Sequence, residues 1–166
     1  MMQWRRALRH LFTDQRSVRR AFSAHAMHAI RTVTGEQEGR HGGELRFVVE
    51  ASLPLINLWR GQSARNRAVE LFGQLRIWDT EHNNGVLIYL LLADKRVEIV
   101  ADRGVDGKVG NANWEVICRG MQKEFAAGRF ETGVISGIVA VSDLLVRHYP
   151  PASAAPNELP DEPLVL

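Results

Sequence analysis

The chain has 166 residues, 45% apolar and 24% charged, which is one domain's worth with enough apolar surface for a single core. Its 21 Lys and Arg against 19 Asp and Glu give a net charge of +2, but residues 1–35 hold seven arginines and one acid, Asp14, leaving 14 bases and 18 acids for residues 36–166. The near-balance excludes a uniformly basic nucleic-acid coat protein, so nucleic acid is not expected as a partner, and the lone Cys118 excludes an intramolecular disulfide and a thiolate zinc site.

Residues 3–12 place Trp4, Leu8, Leu11 and Phe12 at helical spacing, with Arg5, Arg6 and Arg9 off that stripe. A second helix is expected over 15–34, capped by Thr13 or Asp14 and closed by Gly35. Residues 35–43 read as a glycine-rich loop. Residues 44–51 alternate, with Leu45, Phe47, Val49 and Ala51 on one face and Glu44, Arg46, Val48 and Glu50 on the other. That pattern predicts a strand near a sheet edge with one solvated face.

Ser63 can cap a helix over 64–78, followed by the polar loop 79–85. Val86–Leu92 is apolar on both faces, as a buried central strand is. Asp94-Lys95 reads as a turn into a strand over 96–101, then a second polar loop over 102–113. Helices are expected over 114–127 and 132–148. Five of the six prolines fall in 150–166, which reads as a flexible tail behind a single domain over 1–149. The longest unbroken apolar run, Val86–Ala93, is well short of the roughly 20 residues that span a bilayer. No signal peptide is read, so the expected location is the cytoplasm.

The order α-α-β-α-β-β-α-α predicts an α/β fold: a small mixed β-sheet sandwiched by helices on both faces. The first two strands are expected to be parallel and the second and third antiparallel. With Asp94-Lys95 as the turn, Ala93 faces Arg96 and Gly85 faces Gly104, within a residue or two. Two polar loops then meet at one end of the sheet. One carries Asp79, Glu81, His82, Asn83 and Asn84, the other Asp102, Asp106, Asn111 and Asn113. Carboxylate and amide oxygens suit hard cations such as Ca²⁺ or Mg²⁺. The plainer reading is two solvated turns. Gly104–Gly110 lacks the P-loop spacing, no GxSxG occurs, and Cys118 sits in an apolar helix stripe as a buried structural thiol would.

The same loops carry a resemblance. Asn83-Asn84-Gly85-Val86-Leu87-Ile88 resembles the NNGVLLL segment of the TPM domain family. Arg96–Ile99 resembles the strand before that family's GYGLEG loop, which here reads Asp102-Arg103-Gly104-Val105-Asp106-Gly107. The spacing of Met121, Phe125, Gly128, Phe130 and Gly133 is similar to the family's helix pair. The resemblance implies an α/β sandwich and divalent-cation binding in these loops. It also implies phosphatase activity of the kind attributed to plant thylakoid members. The carry-over is partial: the family's GLEG glutamate falls on Asp106, its following Thr-Asp on Gly110-Asn111, and a glycine on Asp102. Many relatives look exported and anchored; this chain is similar to a cytoplasmic offshoot.

Two functions of different class follow. One is a metal-assisted, phosphatase-like hydrolase, with Asp79, Asp102 and Asp106 holding Ca²⁺ or Mg²⁺ and Asn83, Asn84 and Asn111 completing the shell or orienting substrate. No catalytic base or nucleophile is assigned. The other is a noncatalytic interaction module. Trp4, Arg5, Leu8, Arg9 and Phe12 would dock on a protein partner or an anionic membrane surface. The plainer reading of that segment is an ordinary helix packed on the body.

Overall fold

The structure is a computed structural model that describes residues 2–151 and 157–166. Helix α1 spans Met2–Phe12, α2 Gln15–Ala21 and α3 Ala24–Glu38. The single helix expected over 15–34 is therefore two. Asp14 and Ser17 form a capping box at the start of α2, and Phe22 leaves the helix at φ −129° and ψ 102°. The Ser23 hydroxyl then accepts the Ala26 N–H at 3.1 Å and starts α3. Val18, Phe22, Ala26 and Ile30 are buried across the break, so the apolar stripe continues although the backbone does not. Gly35 lies inside α3, which ends before Gly39.

Four strands form one mixed sheet in the order β3-β2-β1-β4: β1 Glu44–Glu50, β2 Gly85–Leu91, β3 Arg96–Ala101 and β4 Leu164–Val165. Strand β1 is parallel to β2 and β4, and β2 is antiparallel to β3, as expected for the first three. Helices α4 (Leu55–Trp59), α5 (Ala64–Gln74), α6 (Arg103–Val109), α7 (Asn111–Ala126) and α8 (Phe130–His148) complete the chain. One face of the sheet carries Phe47, Ile88 and Ile99, packed with Phe22, Phe125 and Ile138. The other carries Val48, Leu87 and Tyr89, packed with Leu58, Leu71 and Leu159. Helices thus cover both faces, as the sequence predicts.

Four expectations are corrected. The second face of β1 is not solvated: Val48 is fully buried, and Glu44 and Glu50 are buried too. Glu50 accepts two bonds from Arg67, and Glu44 accepts the N–H groups of Glu158 and Leu159. Residues 157–166 are not a loose tail. Leu159 joins the core and β4 adds to β1, with Ala51 N–H donating to Leu166 O at 3.0 Å; residues 152–156 lie outside the described residues. The hairpin turn takes a 3₁₀ turn, Leu92–Asp94, and a left-handed Lys95, so Leu91 faces Arg96 and the register moves by two residues. Finally, the expected loop 102–113 is mostly helix, and α4 was not foreseen. Among the described residues no helix is long and apolar enough to cross a membrane.

Candidate functional site

The two loops do meet at one end of the sheet. Asp102 N–H donates to Gly85 O at 2.9 Å, closing the end of the hairpin. Close packing fixes this junction. A Cβ on Gly104 would come within 2.6 Å of the Asn83 carbonyl oxygen, and one on Gly85 would collide with the Ile77 carbonyl. Only glycine lets α6 and the 79–85 loop approach this closely.

The junction forms one wall of a cleft of about 780 Å³, lined by His82, Asn83, Asp102, Arg103, Lys108 and Tyr149. Phe72 and the half-exposed Trp78 supply its apolar side. Asp102 caps α6 through Oδ1, which accepts the Arg103 N–H at 2.6 Å. Its Oδ2 is buried and has no hydrogen-bond partner among the described residues. A buried carboxylate oxygen left in that state costs free energy unless a cation or donor meets it. The Lys108 ammonium lies 4.1 Å from the centre of the Tyr149 ring, a cation–π contact that holds it at the rim.

The six proposed cation ligands do not all converge. Asn83 and Asp102 share the cleft. Asn84 is buried behind it, its amide donating to Gly42 O and its N–H to the Thr80 hydroxyl at 3.1 Å. Asp79 points outward to Arg76 at 2.8 Å. Asp106 accepts the Trp114 indole N–H at 3.1 Å. Asn111 opens α7 and lines a different groove, beside Glu98 and Cys118. No group of three His, Cys, Asp or Glu placed to hold a metal occurs among the described residues. Of the six, Asn84 Oδ1 and Asp102 Oδ2 are buried with no hydrogen-bond partner among the described residues. Burial pushes the Cys118 thiol up to about 11, which suits a structural thiol and not a nucleophile. Lys108, Trp78 and Tyr149 were missed as lining residues; no local pattern in the sequence distinguishes them from ordinary surface and core positions.

Helix α1 does pack on the body, but its apolar stripe is not the side that does so. The helix packs on the body through its polar side. Asp94, in the hairpin turn, receives Arg6 Nε at 2.9 Å and Arg9 Nη2 at 3.2 Å, and His10 Nε2 lies 3.2 Å from it. His10 Nδ1 accepts the Leu53 N–H at 2.9 Å, which puts the imidazole proton on the nitrogen facing Asp94. The apolar stripe Trp4, Leu8, Leu11 and Phe12 faces outward, beside exposed Leu55, Ile56 and Trp59 of α4.

No curated protein matches the chain. The NMR structure of the BA42 protein from the psychrophilic bacterium Bizionia argentinensis is similar: TM-score 0.77 and 26% identity over 87% of this chain and 94% of that one. The solution structure of the N-terminal domain of a P. gingivalis protein shares the fold, with TM-score 0.62 and 19% identity over 77% and 80% of the two chains. A family model described as the TPM domain matches residues 19–144, a span that takes in the sheet's first three strands and the cleft apart from Tyr149. The chain belongs to the TPM domain family.

Proposed function

We propose that the cleft binds a divalent cation together with a phosphorylated ligand, as a phosphatase-like hydrolase does. The carrying observation is that Asp102 lines a cleft rimmed by Arg103 and Lys108, and that its Oδ2 has no hydrogen-bond partner among the described residues. Mg²⁺ is commonly held by one or two carboxylates plus phosphate oxygens and water, and less often by an all-protein cage. One unpartnered carboxylate oxygen with two nearby cations matches that division of labour. Asp102 would hold the ion, the Asn83 side chain or carbonyl would add an oxygen, and Arg103 and Lys108 would meet phosphate oxygens. The ion would supply Lewis-acid polarisation of a phosphoryl oxygen. His82 also lies on the cleft wall. The matching family model is named for a phosphatase, which supports the same substrate class.

The test is a thermal melt with Mg²⁺, Mn²⁺ or Ca²⁺, with and without inorganic phosphate, alongside turnover of an aryl phosphate. Metal at about ten times its Kd stabilises by about 1.4 kcal/mol, or roughly 3–6 °C. Asp102→Asn keeps the helix cap, since Asn caps as well as Asp, and removes the charge. It should abolish the metal shift. Asp106→Asn should leave the shift intact, because that carboxylate is already bound to the Trp114 indole. A melt unmoved by millimolar metal and phosphate overturns the reading.

A further inference from the structure

Helix α1 forms a ridge with an open groove on each side, and Leu8 lines both. One groove, of about 660 Å³, runs between α1 and α4 and is walled by Trp4, Leu11, Leu55 and Trp59. The two indoles meet edge to face with centroids 6.5 Å apart. The other groove, also about 660 Å³, places Arg9, Arg20 and Lys95 around Phe12 and Phe130. Trp4, Phe12 and Trp59 leave 70–76% of their surface exposed. Seven large apolar side chains of α1 and α4 share this face, more than scattered surface apolar residues explain. Arg5 and Arg60 are exposed at its margin. Among the described residues no carboxylate lines either groove.

We propose that the α1–α4 face docks flat on an anionic lipid surface, with the apolar ridge in the acyl boundary and Arg20 and Lys95 on headgroup phosphates. Charge decides the occupant. Tryptophan beside arginine is the composition that seats at a bilayer interface, apolar body inward and charge at the headgroups. A second copy docked through the same face would bring Arg20 and Lys95 of both copies together with no carboxylate lining either groove among the described residues, which is repulsive. The Asp94 contacts to Arg6, Arg9 and His10 hold the ridge on the hairpin turn, so the surface is presented ready-made. That turn is the opposite end of the β2–β3 hairpin from the cleft, so docking leaves the cleft open.

The experiment is flotation of the full chain with phosphatidylcholine vesicles, with or without phosphatidylglycerol, read together with tryptophan emission. Binding is expected with the anionic vesicles alone, with a blue shift from Trp4 and Trp59. Arg20→Gln and Lys95→Asn should each weaken it about fivefold, and Asn suits the left-handed backbone at Lys95. Phe12→Ser with Trp59→Ser should weaken it by roughly tenfold or more. These side chains are exposed, so the melt should not move; Leu11→Gln on the same face replaces the double variant if it does. No binding to anionic vesicles overturns the proposal. So does binding indifferent to Phe12, Trp59 and Leu11, which is adsorption by charge alone. So does a dimer that Phe12→Ser disperses, which assigns the face to a second copy.

Discussion

Glu50 is an acid inside a sheet, 6% exposed, and its partners explain why it is tolerated. Arg67 donates Nε and Nη2 to its two oxygens, each at 3.0 Å, and the Tyr89 hydroxyl donates at 2.6 Å. The pair raises the Arg67 guanidinium further above its ordinary value. Burial and the bond to Glu50 raise the Tyr89 phenol. Removing one partner at a time should rank the network. Tyr89→Phe deletes one bond but leaves the charge paired, and should cost about 1–2 kcal/mol. Arg67→Met strands a buried carboxylate and should cost about 3–5 kcal/mol. Urea unfolding of both variants measures this; equal costs would contradict the account. Glu50 reads in the sequence as a solvated-face residue because its partners lie 17 and 39 positions away. The same limit governs the site. The polar loops and their meeting were legible, but which carboxylates are already taken was not. Asp79 is occupied by Arg76 and Asp106 by Trp114, and both pairings depend on where helices end and turn.

At the scale of elements, periodicity carried the three long strands and most of the helices, because each buries a regular stripe. Where it failed, a short-range competitor or a distant partner decided. Ser23 outbid a continuous helix by capping. A left-handed Lys95 lengthened the hairpin turn by two residues. The proline-rich C-terminus gave no periodicity at all, yet residues 157–166 are held by β1. Glu44 accepts the Glu158 and Leu159 N–H groups at 3.2 and 3.0 Å, and Arg46 donates to the carbonyl of Glu162 at 2.7 Å. Prolines in a strap that pairs at an edge lose little, since few of its N–H groups are needed. Leu159 is 8% exposed, so Leu159→Ala should cost about 2–3 kcal/mol. Deleting residues 157–166 should cost more than that single substitution, because it also uncovers the edge of β1. Chemical denaturation of the two variants checks the order, and a truncated chain as stable as the whole would return the segment to a dispensable tail.

For the molecule as a whole, the split charge becomes two poles: arginines on α1 and α2, and Glu38, Glu44 and Asp161 gathered where the C-terminal segment crosses β1. The poles titrate differently. Partial burial works to raise Asp94, but the His10 and Arg6 donors outweigh it and hold the carboxyl at about 2, against an ordinary 3.8. The unfolded chain binds this proton more readily, so Asp94 adds stability that is complete above 3.8 and lost as pH falls toward 2. Burial, with the Arg40 charge, lowers His41 from 6.5 to about 4, so stability rises with pH across that window as well. Burial raises Glu38 from 4.5 to about 9; the Leu45 N–H opposes this, while Asp161 and Glu44 add to it. There the folded state is the one that keeps its proton, so stability falls as pH rises from 4.5 toward 9. His41 and Glu38 oppose each other between 4.5 and 6.5 and leave stability nearly level there. Above 6.5 only Glu38 of these three is still titrating, and stability should fall toward pH 9 by at most about 1.4 kcal/mol per pH unit. Glu38→Gln mimics the protonated acid and removes the fall. Urea midpoints at pH 6.5 and pH 9 test this: the natural chain should weaken between them and the variant should not. A natural chain equally stable at both would mean that Glu38 is ionised in the fold, and that the acidic pole does not hold its proton against the solvent.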